Sequence, residues 1–96
     1  MSDEITKTLL ARNKTHGDFR TQGDIAQWMK DCVREYPHKW RGMQSYKRDA
    51  IDMILSKISR IVAGDSDHED HWVDIAGYAN LVIRAIEKED KELGGG

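Results

Sequence analysis

The chain has 96 residues, of which 39% are hydrophobic and 33% are charged, with a single proline. This balance predicts one folded helical domain, residues 1–93, and argues against a disordered chain. The formal net charge of −2 combines 15 lysines and arginines with 17 aspartates and glutamates, which is too balanced for a protein that binds nucleic acids or membranes in general.

Cys32 is the single cysteine, which excludes an intramolecular disulfide and a cysteine zinc site. No apolar run approaches the roughly 20 residues that a membrane span needs. The N-terminus lacks the apolar segment of a signal peptide. The expected location is therefore a reducing cytoplasm. The last three residues, 94–96, are glycines and are expected to form a disordered tail.

Two helices are predicted in the first half of the chain. Ser2 is expected to cap the first helix, and Gly17 to end it. Residues 16–22 are expected to form an ordered loop. A second helix is predicted from about residue 24 to residue 35, because its apolar residues share one stripe, and Pro37 stops it.

Two longer helices are predicted in the second half, after the basic connector PHKWRGMQ. Ser45 is expected to cap the third helix, which Gly64 ends. The fourth helix begins near Asp67 or Glu69. No stretch shows the period-two alternation of a strand. The predicted architecture is an all-α bundle of four helices, with helices 3 and 4 as a long antiparallel hairpin.

The helical stripes contain two charges where apolar residues are expected. Asp74, in HWVDIAGYANLV, shares a sector with Tyr78, Leu81 and Ala85, at about 100° per residue. Lys57 projects inside the apolar face of the third helix. Antiparallel packing would bring Lys57 and Asp74 together, either as a structural ion pair or as part of a pocket for a charged ligand.

Two pairs of potential metal ligands have the same spacing of three residues. Asp49 and Asp52 form one pair on the third helix, and His71 and Asp74 form the other on the fourth. Carboxylate pairs on two facing helices hold Mg²⁺ or Mn²⁺ inside helical bundles. The alternative is that these acids lie on solvated helix faces.

Two basic segments are candidates for phosphate or base contacts. In RNKTHGDF, Lys14 and His16 precede a glycine turn that could direct cations and backbone amides at a phosphate. The alternative is a plain helix end with Phe19 in the core. Trp40, among basic neighbours, could stack on a base, line an oligomer interface or fold onto the bundle.

The size of the chain favours self-association. A bundle this small completes its core most simply by forming a dimer or a larger homo-oligomer. Gly77, in the middle of the fourth helix, would permit close helix packing within the chain or between copies. A homo-oligomer is therefore expected.

Three motifs together resemble a known group of proteins. NKTHGDF, KISRIVAG and DHWVDIAGYANL look like a small helical domain of phages and prophages whose function is uncharacterised, and the resemblance covers most of residues 5–86. That domain is itself distantly similar to the all-α MazG-like nucleoside triphosphate pyrophosphohydrolases, whose fold the resemblance implies for this chain.

The resemblance implies a function and a set of site residues. The MazG-like motif E-x-x-E falls on Asp49 and Asp52, and E-x-x-D falls on His71 and Asp74, so these residues would hold Mg²⁺. The implied reaction cleaves an NTP or dNTP between the α and β phosphates, with Asp52 and Asp74 catalytic. Cations on these helices, Lys57 and Arg60, would contact the phosphates.

The same resemblance implies an active site shared between subunits of a dimer or tetramer, working in the cytoplasm of a host cell if a phage encodes the chain. Two other functions remain open. One is a nucleotide-binding module without turnover. The other is a phage accessory protein that binds a partner and whose charges pair internally.

Overall fold

Five helices joined by short connections account for nearly all of residues 3–94, the part of the chain that the computed structural model describes. They are α1 (Asp3–His16), α2 (Phe19–Arg34), α3 (Pro37–Gly42), α4 (Ser45–Ala63) and α5 (Glu69–Gly94). The all-α prediction is confirmed, and these residues contain no strand. None of the described helices combines the length and the apolar character that crossing a membrane requires.

The predicted count of four helices was wrong, because part of the connector is helical. Pro37 starts α3 at a position where a missing N–H costs no hydrogen bond. The predicted loop over residues 16–22 was also wrong. The Asp18 carboxylate accepts a hydrogen bond from the Thr21 N–H at 3.1 Å, and α2 therefore begins at Phe19.

The ends of the two long helices follow the prediction with one exception. Gly64 ends α4, and its N–H donates to the Arg60 carbonyl at 2.9 Å. Ser45 does not cap α4: Gln44 precedes the helix as its cap residue, and the Ser45 hydroxyl accepts a bond from Arg48 at 3.2 Å. Ser2 and residues 95–96 lie outside the described residues, and Gly94 ends α5.

Helix α4 is the central element of the fold. It packs against α5 on one side and against α2 on the other, while α1 contacts α4 and α2. Two side-chain contacts establish the predicted antiparallel hairpin. Lys57 meets Asp74 at 2.9 Å near the turn, and the Gln44 amide donates to Glu89 at 2.7 Å near the open end.

The hydrophobic core of the described chain is thin. Ala26 and Ala50 are its buried apolar residues, whereas the largest fully buried side chain is that of His71. Phe19, expected in the core, is 69% exposed. The radius of gyration is 16.8 Å and the longest dimension is 57 Å, against a radius of about 12–13 Å for a compact domain of this length. The fold is therefore elongated.

A contact between two loops joins the ends of α1 and α4. The Thr15 carbonyl accepts hydrogen bonds from the Asp65 N–H at 3.0 Å and from His71 Nε2 at 2.8 Å. A Cβ atom at Gly64 would overlap this same carbonyl, and one at Gly17 would overlap the backbone of Ala63. We call this contact the Thr15 junction. Its backbones approach so closely that only glycine fits at both positions.

The Thr15 junction makes a prediction about stability. Gly17 has φ = 79°, a conformation that disfavours residues with a Cβ, and we expect Gly17→Ala to lower the free energy of unfolding by more than about 1–2 kcal/mol. Gly23 lies within α2 with open space around it, so Gly23→Ala should instead stabilise the fold by about 0.5–1 kcal/mol. Urea unfolding followed by circular dichroism measures both values, and equal effects would contradict the junction.

Candidate functional site

The structure distributes the predicted site residues between two places. Trp40, Asp49 and Asp52 line a groove between α2, α3 and the start of α4. It consists of two neighbouring hollows of about 250 and 290 Å³, which share Arg34, Trp40 and Arg48. We call it the Trp40 groove, and its lining residues are Arg34, Pro37, Trp40, Arg41, Ser45, Arg48, Asp49 and Asp52.

Arg34 is the most constrained side chain of the Trp40 groove. Its guanidinium donates to the Lys30 carbonyl at 3.0 Å and to both oxygens of the Asp52 carboxylate at 3.0 Å. The same guanidinium lies 4.6 Å from the centre of the Trp40 ring, in cation–π geometry. Arg34 therefore holds α2, α3 and α4 together at this groove.

Arg48 is constrained at one end and unsatisfied at the other. One terminal nitrogen donates to the Ser45 hydroxyl at 3.2 Å, whereas Nε is buried without a hydrogen-bond partner. A buried donor left unpaired costs about 1–3 kcal/mol. Arg41 adds a third guanidinium at the exposed edge. The groove thus combines three guanidinium groups with two carboxylates and has a net positive charge.

The two carboxylates of the groove differ in what they contact. Asp52 is held by Arg34 through both oxygens. Asp49, one turn earlier on α4, is exposed and takes part in none of the ion pairs among residues 3–94. It also borders an apolar hollow between α4 and α5. Asp49 is therefore the carboxylate of this pair that is free to take a new ligand.

The second place is a cluster of three histidines beside the Thr15 junction. The His71 ring lies 4.8 Å, between ring centres, from both His16 and His68. His71 is 2% exposed, and its Nε2 donates to the Thr15 carbonyl. His16 Nδ1 lies 2.6 Å from the Thr15 hydroxyl. His71 therefore supports the fold at this point, with its Nε2 proton engaged.

The electrostatic surroundings of His16 are cationic. Burial, and then the nearby charges of Arg12 and Arg60, lower the pKa of His16 from 6.5 to about 4, with smaller contributions from His71 and Lys57. His16 is therefore neutral at pH 7. The predicted phosphate contacts Lys57 and Arg60 thus lie near His16, and Arg60 Nε is buried without a partner.

Lys57 and Asp74 form the ion pair that the helical projection predicted. Their nitrogen and oxygen are 2.9 Å apart, and the two side chains are 13% and 45% exposed. The hydrogen bond from Lys57 and its charge lower the pKa of Asp74. This ion pair explains why an aspartate lies among apolar residues at position 74. Its carboxylate neutralises the ammonium group of Lys57, which is mostly removed from water.

The four predicted metal ligands do not converge on one point. No group of three or more His, Cys, Asp or Glu side chains within residues 3–94 has metal-binding geometry. Mg²⁺, however, is often held by one or two carboxylates together with substrate phosphates. Asp49 meets that lower requirement, whereas Asp52, His71 and Asp74 are engaged by Arg34, Thr15 and Lys57.

Spacing along a helix indicates one further groove residue but not the other, and one predicted residue lies apart. Arg48 precedes Asp52 by four residues, a spacing that signals a shared helix face. Arg34 joins the groove only because α2 packs against α4. Lys14 is exposed on α1 and lines none of the hollows around Trp40.

The lowered pKa of His16 predicts how stability depends on pH. The unfolded chain binds this proton below about pH 6.5, whereas the folded chain binds it only near pH 4, so stability should fall as the pH falls between these values. The His16→Gln variant should lose less stability over the same interval. Urea unfolding across this pH range measures both curves, and parallel curves would contradict the assignment.

Comparison with known protein families places residues 3–86 in a family described as a domain of unknown function, DUF6378. The match covers most of the 96 residues. No curated protein and no solved structure matches the chain. On the extent of this match, the chain belongs to the DUF6378 family.

Proposed function

We propose that this protein binds a nucleotide, and that the Trp40 groove holds the phosphate groups. The observation that carries the proposal is that guanidinium groups from three successive helices meet around one tryptophan: Arg34 from α2, Arg41 from α3 and Arg48 from α4. Each comes from a different element, so the arrangement depends on the tertiary fold rather than on a run of basic residues.

The chemistry of these side chains suits a phosphorylated ligand. Guanidinium groups present paired donors that match two phosphate oxygens. Arg48 lines both hollows and uses one terminal nitrogen on Ser45, so its guanidinium retains other donors for a phosphate oxygen. An indole ring offers a face or an edge for a nucleobase. The two hollows, of about 250 and 290 Å³, are each close in size to the smaller ligand pockets of proteins.

Nucleotide binding is tested by calorimetry with a panel of mono-, di- and triphosphates, first without divalent metal. We expect Arg48→Met to weaken binding by about tenfold or more, because a hydrogen bond to a charged group contributes about 1.5–3 kcal/mol. The fold should remain, since the change removes an unsatisfied buried donor. Arg20→Met, an exposed change elsewhere on α2, is the matched control. Equal affinities for the two variants would contradict the proposed groove.

A second candidate is the Mg²⁺-dependent (or Mn²⁺-dependent) nucleoside triphosphate pyrophosphohydrolase that the resemblance to MazG-like enzymes implies. The observation that favours it is that Asp49 and Asp52 line the same groove as the three arginines. When bound, a metal ion would neutralise phosphate charge and lower the pKa of a coordinated water. Asp49 is free to hold it, and Asp52 would have to share its carboxylate with Arg34.

Turnover is tested by pyrophosphate release from NTPs and dNTPs with Mg²⁺ or Mn²⁺. We expect Asp49→Asn to abolish release and to leave the fold intact, because Asp49 is exposed and makes no ion pair. Asp74→Asn tests the catalytic role that the resemblance implies for Asp74. Turnover by this variant at the wild-type rate would show that the Asp74 carboxylate only pairs with Lys57. If the wild-type chain binds nucleotides but releases no pyrophosphate, the protein is a nucleotide-binding module without turnover.

The third interpretation, an accessory protein from a phage that binds another protein, draws support from the internal pairing of charges. Arg34 pairs with Asp52, and Lys57 pairs with Asp74, so both acids have structural partners. This interpretation becomes the proposal if no nucleotide in the panel binds. We propose, on the same resemblance, that the chain is encoded by a phage or prophage and that its helices form a MazG-like bundle.

We also propose that the functional unit is a homo-oligomer. The chain exposes 7228 Å² of surface, which exceeds by about 1,600 Å² the area of roughly 5,600 Å² that a folded monomer of this length presents. Large apolar side chains contribute to this surface, among them Trp28 at 69% and Val62 at 66% exposure. Copies of the chain that cover such side chains would complete the thin core.

A further inference from the structure

We propose that two copies of the chain pair through one exposed side of α5, with the two helices antiparallel and crossing at Gly77. The contact surface is a stripe that we call the Gly77 stripe: Asp70, Val73, Gly77, Leu81 and Arg84. The inference rests on the proposed homo-oligomer, and it is independent of nucleotide binding. It names the surface that a second copy covers.

The Gly77 stripe is a continuous and accessible face. Its members are spaced by three or four residues, which places them along one side of the helix. All five are exposed, with Val73 at 62% and Leu81 at 61%. The face that packs against α4 contains the less exposed Tyr78, Val82 and Ala85, about a third of a turn away, and Leu81 at the edge of the stripe also borders the hollow between α4 and α5. The stripe is therefore open within one chain.

The sequence of the stripe is complementary to itself. In an antiparallel crossing at Gly77, the residue n positions after Gly77 in one copy faces the residue n positions before Gly77 in the other copy. Leu81 and Val73 lie four residues on either side of Gly77, and Arg84 and Asp70 lie seven residues on either side. Leu81 would thus meet the partner's Val73, and Arg84 would meet the partner's Asp70. A two-fold axis makes each contact twice.

The shape of the stripe also fits a second helix. A Cβ at Gly77 would meet nothing within 4 Å, so packing within the chain does not require glycine there, although glycine costs about 1 kcal/mol in a helix. A small residue at a crossing lets two backbones approach closely. A hollow of about 390 Å³, lined by Val73, Asp74, Gly77, Tyr78 and Leu81, lies on the same face and could receive apolar side chains of the second copy.

The exposed area of the whole chain is compatible with a stable dimer interface. Each partner of a standard interface buries about 800 Å², and the chain exposes about 1,600 Å² more than a folded monomer of its length. A second copy is the occupant that the pattern favours, because an unrelated partner would have no reason to require opposite charges at equal distances from Gly77.

A second exposed stripe of α5 provides the comparison that the test needs. Trp72, Ile83 and Ile86 lie on the other side of the helix and are 53%, 53% and 38% exposed. This stripe contains apolar side chains without the paired charges of the Gly77 stripe. Leu81 and Ile83 are two residues apart and similarly exposed. Leu81 also borders the hollow between α4 and α5, so the stability of both variants is measured beside their molar mass.

The first experiment measures molar mass by light scattering after size exclusion. We expect a dimer for the wild type, a monomer for Leu81→Glu and a dimer for Ile83→Glu. Circular dichroism checks that both variants remain helical. A monomeric wild type at 100 µM overturns the homo-oligomer and the Gly77 stripe together. A dimer that survives Leu81→Glu and dissociates with Ile83→Glu keeps the homo-oligomer and overturns the stripe.

Charge reversal gives a second measurement that does not depend on an apolar change. We expect Arg84→Glu to raise the dimer dissociation constant at least several-fold, because the new glutamate of each copy would face Asp70 of the other copy. Adding Asp70→Arg to the same chain should restore the wild-type dissociation constant. Cross-linking provides a direct distance: with Cys32→Ser as background, Gly77→Cys should form a disulfide between copies and Ala79→Cys should not. Failure of both the rescue and the cross-link overturns the crossing at Gly77. Calorimetry of the wild type with nucleotides reports separately on the Trp40 groove.

Discussion

The carbonyl oxygen of Thr15 is the acceptor on which the arrangement of the helices depends. It lies at the end of α1 and accepts from a backbone N–H of the α4–α5 turn and from the ring of His71, 56 residues further along the chain. Because both donors come from the hairpin, this single carbonyl fixes where α1 sits on α4 and α5. The glycines at 17 and 64 allow the two backbones to approach. The histidine cluster, and with it the lowered pKa of His16, exists because of that approach.

Two ion pairs between helices position four of the charged side chains around the candidate site. Arg34 engages Asp52 across α2 and α4, and Lys57 engages Asp74 across α4 and α5. Each pair satisfies a carboxylate that spacing alone suggested as a metal ligand. In doing so, the first pair positions a guanidinium over Trp40 and creates the cationic groove that the proposed function uses. A structural ion pair and the proposed ligand site are therefore neighbours here rather than alternatives.

The thin core and the exposed apolar faces have the same cause, which is the elongated arrangement of the helices. The long helix α5 packs chiefly against one neighbour, α4, in a molecule 57 Å long, and a helix with one neighbour buries little apolar surface. The exposed stripes on both sides of α5 are the surfaces that additional helices would cover. Assembly with a second copy would therefore supply contacts that a chain of 96 residues cannot make with itself.

The sequence by itself determined the helical class and the end of α4 at Gly64, because helical periodicity and glycine stops are local signals. It also determined the antiparallel hairpin and the pairing of Lys57 with Asp74, because such a hairpin limits which residues can face each other. It did not determine that the connector before α4 is a helix, nor that Asp52 belongs to Arg34. Only the tertiary structure separated Trp40, Asp49 and Asp52 from His16, Lys57, Arg60, His71 and Asp74. The physical reason is that the packing of α2 on α4 decides which charges become neighbours, and no spacing within one helix records the position of another.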